Sequence, residues 1–157
     1  MAVYIQLLYH VVITTQKHEA VLAKPKREEL YRCIWGVVKE KKCQLLRIGG
    51  TENHVHLLLS VHPAVAVAEV VKAVKVTSAE WITSSAAFPK FKGWHEGYAA
   101  ITCSWEEKDM LVDAIKHQEE HHQEVTLREE FEELLEAAGL KIAEGDTVWL
   151  EDAEEEG

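Results

Sequence analysis

The chain has 157 residues, 47% of them hydrophobic, and a formal net charge of −10. This length and hydrophobic content allow one sizeable core and do not require division into two domains. The three cysteines, an odd number without a Cys-x-x-Cys pair, argue against a disulfide framework or a cysteine zinc site and fit a reducing cytoplasm.

The hydrophobic periodicity predicts strands and helices in the order β-α-β-β-α-β, followed by further helices. Pro25 near a helix start and Pro63 after a strand mark the ends of elements, and a Gly-Gly pair separates two apolar runs. The order is that of the ferredoxin-like α+β fold with an antiparallel sheet, which is the fold class we expect. The predicted strands are about Val3–Thr15, Cys43–Gly49, His54–Val61 and Tyr98–Ser104, and the predicted helices are Pro25–Lys41, Val65–Thr83, Glu106–Gln123 and Glu129–Glu136.

We expect one domain over residues 1–143 and an acidic tail over residues 144–157. The end of this tail, Glu151–Gly157, has too little apolar surface to bury and is predicted to be disordered. The start, Met1–Gln6, shows no basic region followed by an apolar run, and no segment is apolar for long enough to span a bilayer. A cytoplasmic protein without a membrane partner is therefore expected.

The negative net charge argues against a nucleic-acid partner until its distribution is considered. Residues 1–105 contain 13 Lys and Arg and 8 Asp and Glu, a balance of +5, whereas residues 106–157 contain 4 and 19, a balance of −15. The first part is therefore basic enough to contact DNA, although an ordinary solvated helix surface has the same composition. The candidate DNA contacts are Arg27, Lys41, Lys72 and Lys75.

His54 and His56 lie one residue apart in a predicted strand. Because side chains alternate along a strand, both imidazoles project from one face while Val55 faces the other. Two imidazoles on one rigid face supply half of a metal site. Histidines at this spacing are often ordinary packed residues, so the metal interpretation requires a third ligand from elsewhere in the chain.

The best source of a third ligand is the helical segment Asp109–Gln123, whose apolar positions recur at helical spacing. Ala114 and Gln118 lie along one stripe of this helix, and either His121 or His122 continues it. A solvated polar helix end without a special role is the alternative interpretation.

The order of these motifs resembles the single-tyrosine HUH transposases of small bacterial insertion sequences and their REP-associated relatives. The resemblance covers roughly Val3 to Leu140. The matching motifs are Tyr9-His10-Val11-Val12-Ile13-Thr14-Thr15, the run Leu46-Arg47-Ile48-Gly49-Gly50 leading into His54-Val55-His56, Lys75-Val76-Thr77-Ser78-Ala79-Glu80-Trp81-Ile82, Trp94-His95-Glu96-Gly97-Tyr98, and Gln118-Glu119-Glu120-His121-His122.

The resemblance implies a metal-dependent reaction on single-stranded or hairpin DNA. In that family two histidines and a glutamine bind a divalent cation, and these positions fall on His54, His56 and Gln118. The cation, Mg²⁺ or Mn²⁺, polarises the scissile phosphate, and a tyrosine one helical turn before the glutamine attacks it to form a phosphotyrosine link. The tyrosine position falls on Ala114, whose methyl group cannot attack phosphorus. The resemblance also implies a homodimer in which two sheets join.

Three functions remain open at this point. The chain is an enzyme of that family, a non-catalytic, domesticated DNA-hairpin-binding protein, or an unrelated metal-dependent phosphohydrolase or nucleotide-binding protein that uses His54 and His56. A histidine-triad hydrolase is disfavoured because Leu58 stands where a third alternating histidine would be. Ala114 is consistent with a natural loss of the nucleophile, with a deliberate substitution, and with attack by a tyrosine from elsewhere.

Overall fold

The structure is a computed structural model that describes residues 2–144 and 146. Its strands are β1 (Leu8–Thr14), β2 (Gln44–Gly50), β3 (His54–Ser60) and β4 (Ala99–Cys103). Its α-helices are α1 (Lys24–Glu40), α2 (Val67–Ser85), α3 (Lys108–Lys116), α4 (Gln118–His121) and α5 (Leu127–Ala137). The strands form an antiparallel sheet in the order β2-β3-β1-β4, which confirms the predicted ferredoxin-like α+β class.

Two predicted elements differ from the observed ones. The first strand begins at Leu8 rather than Val3, because Leu8 already pairs with the last residue of β3 and the last residue of β4. The predicted helix Glu106–Gln123 is wrong as one element, since His117 leaves helical geometry between α3 and α4. After the break, the side chain of Gln118 points into the interior and that of Glu119 points toward α1.

Part of the predicted tail lies outside the described residues, including all of Glu151–Gly157, so the boundary at residue 143 stays a prediction. None of the helices that the structure describes combines the length and apolar character needed to cross a bilayer.

The two faces of the sheet have different chemistry. Alternate residues of β1 and β3, such as Ile13 and Leu57, pack with α1 and α2 in the hydrophobic core. The residues between them face the other way and include His10, His54 and His56, all buried. Strand alternation therefore separates an apolar core from a histidine-rich layer, which α3, α4 and α5 cover.

Gly49 allows α3 to pack directly on β2. It pairs with His56 in the sheet, and a Cβ atom at this position would overlap the carbonyl oxygen of Ile115 in α3. The backbone of α3 is thereby held beside the histidines. Gly36, in the middle of α1, has no such neighbour, because nothing lies within 4 Å of the position its Cβ would take.

We predict that Gly49→Ala lowers the free energy of unfolding by about 1–3 kcal/mol, because α3 must shift away from β2. Gly36→Ala is the matched control and should leave stability unchanged or raise it by up to about 1 kcal/mol, since alanine suits an open helical position. Urea unfolding of both variants measures the difference. A Gly49→Ala protein as stable as the unmodified chain would contradict the close approach.

Candidate metal centre

His54 is buried in β3 with its ring orientation fixed by hydrogen bonds. Its Nδ1 lies 2.9 Å from Oδ1 of Asn53, whose own amide nitrogen donates to the backbone oxygen of His18. The hydroxyl of Thr51 also donates to Oδ1 of Asn53. Nδ1 also lies 3.0 Å from the hydroxyl oxygen of Thr51. In the tautomer that donates from Nδ1 to Asn53, the lone pair of Nε2 is free to bind a metal ion, whereas in the other tautomer Nε2 is itself a donor. Burial and the nearby His56 lower the pKa of His54 to about 3, which keeps the ring neutral.

Gln118 presents an oxygen to that lone pair. Its amide nitrogen donates to the backbone oxygen of Ala114, which turns Oε1 toward Nε2 of His54 at 3.0 Å. Without a metal ion, the tautomer of His54 with its proton on Nε2 donates a hydrogen bond to this oxygen. With the proton on Nδ1, Nε2 and Oε1 can both bind one cation.

His56 is held between a second histidine and a carboxylate. Its Nδ1 lies 2.8 Å from Nε2 of His10, a diagonal neighbour on β1, and its Nε2 lies 2.6 Å from Oε1 of Glu130 on α5. Burial and the neighbouring His56 lower the pKa of His10 to about 4, so the His10 ring is neutral near pH 7. A neutral His10 can accept a hydrogen bond from Nδ1 of His56, so Nε2 of His56 can exchange its hydrogen bond to Glu130 for a metal ion.

Glu130 brings the C-terminal helix into the same cluster. Its Oε1 lies 3.6 Å from Nε2 of His54, and its Oε2 lies 3.0 Å from His122 and 3.1 Å from His121. Burial alone would raise the pKa of this carboxyl, but hydrogen bonds from His122 and His56 hold it well below its usual range. Glu130 is therefore a carboxylate that faces several imidazoles.

The donor set fits a divalent metal ion. His54, His56, His122 and Glu130 offer ligand atoms that all lie within 4.8 Å of one another. Imidazole nitrogens with a carboxylate suit Mn²⁺, Zn²⁺ and similar ions, whereas Mg²⁺ prefers oxygen ligands.

The structure brings the three predicted ligands together and adds others. His54, His56 and Gln118 converge as expected, although their role as ligands stays a prediction. Of the two histidines left open on the helix, His122 is the one that also contacts Gln118, at 3.1 Å. Sequence reasoning missed Glu130, which looks like any residue of an acidic helix.

His10 was missed as well, although it carries a signal that could have identified it. It is a polar residue on an apolar strand, and strand alternation places it on the opposite face from the core residues Val11 and Ile13. The proximity of His10 to His56 can be recognised only when β1 and β3 are known to be neighbouring strands.

Ala114 faces the cluster, one helical turn before Gln118. A cavity of about 620 Å³ is lined by Ala114 together with His10, His56, Gln118 and Glu130. Among the residues that the structure describes, no tyrosine lines this cavity. Ala114 therefore contributes a methyl group to the lining of this cavity, at the position where the family resemblance predicts a tyrosine hydroxyl.

Two of the four predicted DNA contacts are engaged within the protein. The amine of Lys75 donates to the backbone oxygens of residues 95, 96 and 97 at 2.8–3.1 Å. Arg27 is buried and donates to Glu119 at 3.2 Å, so that it links α1 to α4. Lys41 is half-buried at the end of α1, and Lys72 is exposed on α2.

A second cavity, of about 520 Å³, runs along β2. Cationic and aromatic side chains share it, and Trp35 is 50% exposed. Ile115 lines this groove and also the cavity beside Ala114, so the two are neighbours. The groove was not predicted from the sequence, because its residues come from three separate segments. Its cationic and aromatic members are Tyr31, Arg32, Trp35, Arg47 and Lys116.

Comparison with known proteins gives one family and a set of similar structures. The family model described as "Transposase IS200 like" matches residues 3–118. A crystal structure of a candidate transposase from Deinococcus radiodurans is 24% identical with a TM-score of 0.60, covering 75% of this chain and 95% of that chain. A REP-associated tyrosine transposase bound to a REP hairpin is 12% identical with a TM-score of 0.59, covering 80% and 74%. Comparison with curated proteins gives no match.

We predict that His10→Leu weakens Mn²⁺ binding roughly 10- to 100-fold, because His56 loses the neighbour that orients its ring. His10→Gln retains a side chain that can hydrogen-bond and should bind Mn²⁺ more tightly than His10→Leu. Isothermal titration of the two variants and the unmodified chain measures this order. Equal affinity in all three proteins would show that His10 does not orient a metal ligand.

Proposed function

We propose, from the premise that the chain belongs to the IS200-like transposase family, that it binds single-stranded or hairpin DNA without cleaving it through a phosphotyrosine. The family reaction needs a nucleophile beside the metal ligands, and Ala114 supplies none. The observation that carries the proposal is the position of its methyl group in the cavity shared with His56, Gln118 and Glu130.

A structurally similar protein suggests which kind of DNA this chain binds. The REP-associated tyrosine transposase with a similar fold is bound to a REP hairpin. The fold of this chain is similar, with a TM-score of 0.59, and the basic part, residues 1–105, supplies all four strands and helices α1 and α2. Hairpin DNA with a single-stranded flank is therefore the ligand we propose.

The groove along β2 suits the single-stranded flank better than the lysines on α2. Proteins that bind single strands combine cationic side chains with aromatic rings on which bases stack. Arg32, Arg47 and Lys116 supply positive charge beside the carboxylates of Glu28 and Glu119, and Trp35 supplies an exposed ring. The groove also adjoins the cavity at Ala114 through Ile115, whereas α2 covers the other face of the sheet.

We propose that His54, His56 and Gln118 hold a divalent cation, Mg²⁺ or Mn²⁺, at the DNA site. Mn²⁺ suits two imidazole ligands better than Mg²⁺ does. When bound, such a cation polarises a phosphate oxygen, and the protein groups around it fix the orientation of the imidazoles.

We place a homodimer contact at the free edge of β4. The register of β2, the other edge, is irregular between Leu45 and Arg47, which disfavours pairing with another strand. Trp105 and Met110 follow β4 and are 58% and 66% exposed, so apolar surface is available there. Light scattering should give twice 17.8 kDa, and a mass of 17.8 kDa would contradict this assembly.

We predict that Ala114→Tyr forms a covalent adduct with single-stranded DNA in the presence of Mn²⁺, because the new hydroxyl projects into the cavity beside the ligands. Ala114→Phe is the matched control, since it adds the same ring without the nucleophile and should form no adduct. Denaturing gel electrophoresis detects the adduct, which phosphodiesterase removes. Absence of an adduct from the tyrosine variant, at a DNA concentration that saturates binding, would contradict the assignment of this position.

We predict that Trp35→Ala and Arg32→Ala each weaken binding of hairpin DNA with a single-stranded flank roughly 10-fold, in line with about 1–3 kcal/mol per stacked base. Lys72→Ala is the control for a general loss of positive charge and should have a smaller effect. Fluorescence anisotropy at fixed salt measures the three affinities. If Lys72→Ala is the most damaging of the three, the DNA lies on α2 and not in the groove.

A further inference from the structure

We propose that His122 and Glu130 join His54 and His56 as ligands in place of Gln118, so that this chain holds a transition-metal ion of the zinc class in a closed four-coordinate shell. The inference rests on the metal centre of the proposed function, and it changes what that centre does. A site with an open position can bind a phosphate, whereas a closed one joins protein segments.

The additional ligands come from a part of the chain that the family match does not include. That match ends at Gln118, and both His122 and Glu130 follow it. Glu130 lies on the packing face of α5, between the buried residues Leu127 and Leu135. A charged carboxylate on the buried face of an amphipathic helix is costly unless a partner compensates it. Here the partners are the imidazoles, and a bound cation compensates the charge further.

The distances agree with a compact coordination shell. Ligand atoms about 2.0–2.2 Å from a tetrahedral Zn²⁺ lie roughly 3.3–3.6 Å from one another. The Glu130 oxygens lie 3.6 Å from Nε2 of His54, 3.0 Å from Nε2 of His122 and 2.6 Å from Nε2 of His56. The contacts at 3.0 Å and 3.6 Å are within about 0.3 Å of these spacings, whereas the 2.6 Å hydrogen bond between His56 and Glu130 must lengthen by about 0.7 Å. All four ligand atoms already lie within 4.8 Å of one another.

The chemistry of the donors favours zinc-class ions over Mg²⁺. Three imidazoles and one carboxylate resemble the nitrogen-rich sites of transition metals, and they lack the several oxygen ligands that Mg²⁺ requires. The outer groups are also in place, because Asn53 fixes the ring of His54 and His10 contacts that of His56. Such outer contacts orient ligating histidines in metal sites.

Glu130 has a consequence for DNA. Its carboxylate lies against the imidazoles, where a phosphate oxygen would have to coordinate, so a phosphate must displace it. The centre has no open position until Glu130 is displaced, and Ala114 beside it supplies no nucleophile. The metal ion then connects α5 to β3 through Glu130, His54 and His56, which gives it a structural role.

The test uses the full chain after removal of metal with a chelator. Isothermal titration with Zn²⁺, Co²⁺ and Mg²⁺ should show one tight site for Zn²⁺ and none of comparable affinity for Mg²⁺. The Co²⁺ form should have the intense visible absorption of four-coordinate cobalt. Weak absorption typical of six-coordinate cobalt would overturn the closed shell, and this measurement needs no variant.

Two variants assign the additional ligands. Glu130→Gln and His122→Gln should each weaken Zn²⁺ binding about 100-fold or more, since losing a ligand costs at least as much as losing an outer contact. Glu136→Gln, an exposed position on the same helix, makes the same charge change as Glu130→Gln and should bind Zn²⁺ like the unmodified chain. Circular dichroism checks that each variant is folded.

The outcomes separate this inference from the proposed function. Unchanged Zn²⁺ affinity in Glu130→Gln and His122→Gln would overturn the additional ligands, yet hairpin binding by the same proteins would leave the DNA proposal intact. Loss of Zn²⁺ binding in these two variants together with normal binding in Glu136→Gln supports the closed shell.

Discussion

The contact between Nε2 of His54 and Oε1 of Gln118 is the constraint on which the site depends. The amide nitrogen of Gln118 donates to the backbone oxygen of Ala114, so Oε1 faces His54 at 3.0 Å. The two atoms share a hydrogen bond when Nε2 carries the proton, and both can bind one cation when the proton is on Nδ1 beside Asn53. The packing of α3 on Gly49 and the ion pair of Glu119 with α1 keep Gln118 in this place.

The sequence predicted the fold well because its elements depend on local periodicity. Alternation in β1 and β3 and the Gly-Gly pair after β2 were sufficient for the order of strands and helices. The break at His117 was not predictable, since Asp109–Gln123 has helical spacing throughout. Tertiary contacts follow the break directly, with Gln118 in the interior and Glu119 against α1.

The candidate site was predictable only in part, for a similar reason. His54 and His56 form a local motif, and the resemblance supplied Gln118. Glu130 has no local signal, because its role comes from the docking of α5 on the histidine face. Among the cations, a DNA contact was predicted for Arg27, and the structure buries its side chain against Glu119. Charge alone did not distinguish a DNA contact from an internal partner.

The chain belongs to the IS200-like transposase family, and its histidine and carboxylate cluster could bind a metal ion near a cationic and aromatic groove. The most direct test of the proposed DNA binding without cleavage uses the unmodified chain with a labelled DNA hairpin that carries a single-stranded flank, in the presence of Mn²⁺. A native gel and a denaturing gel of the same reaction measure binding and cleavage together. The account predicts a shifted complex on the native gel and intact, unattached DNA on the denaturing gel. Cleaved DNA or a covalent adduct would contradict it, and so would the absence of a complex.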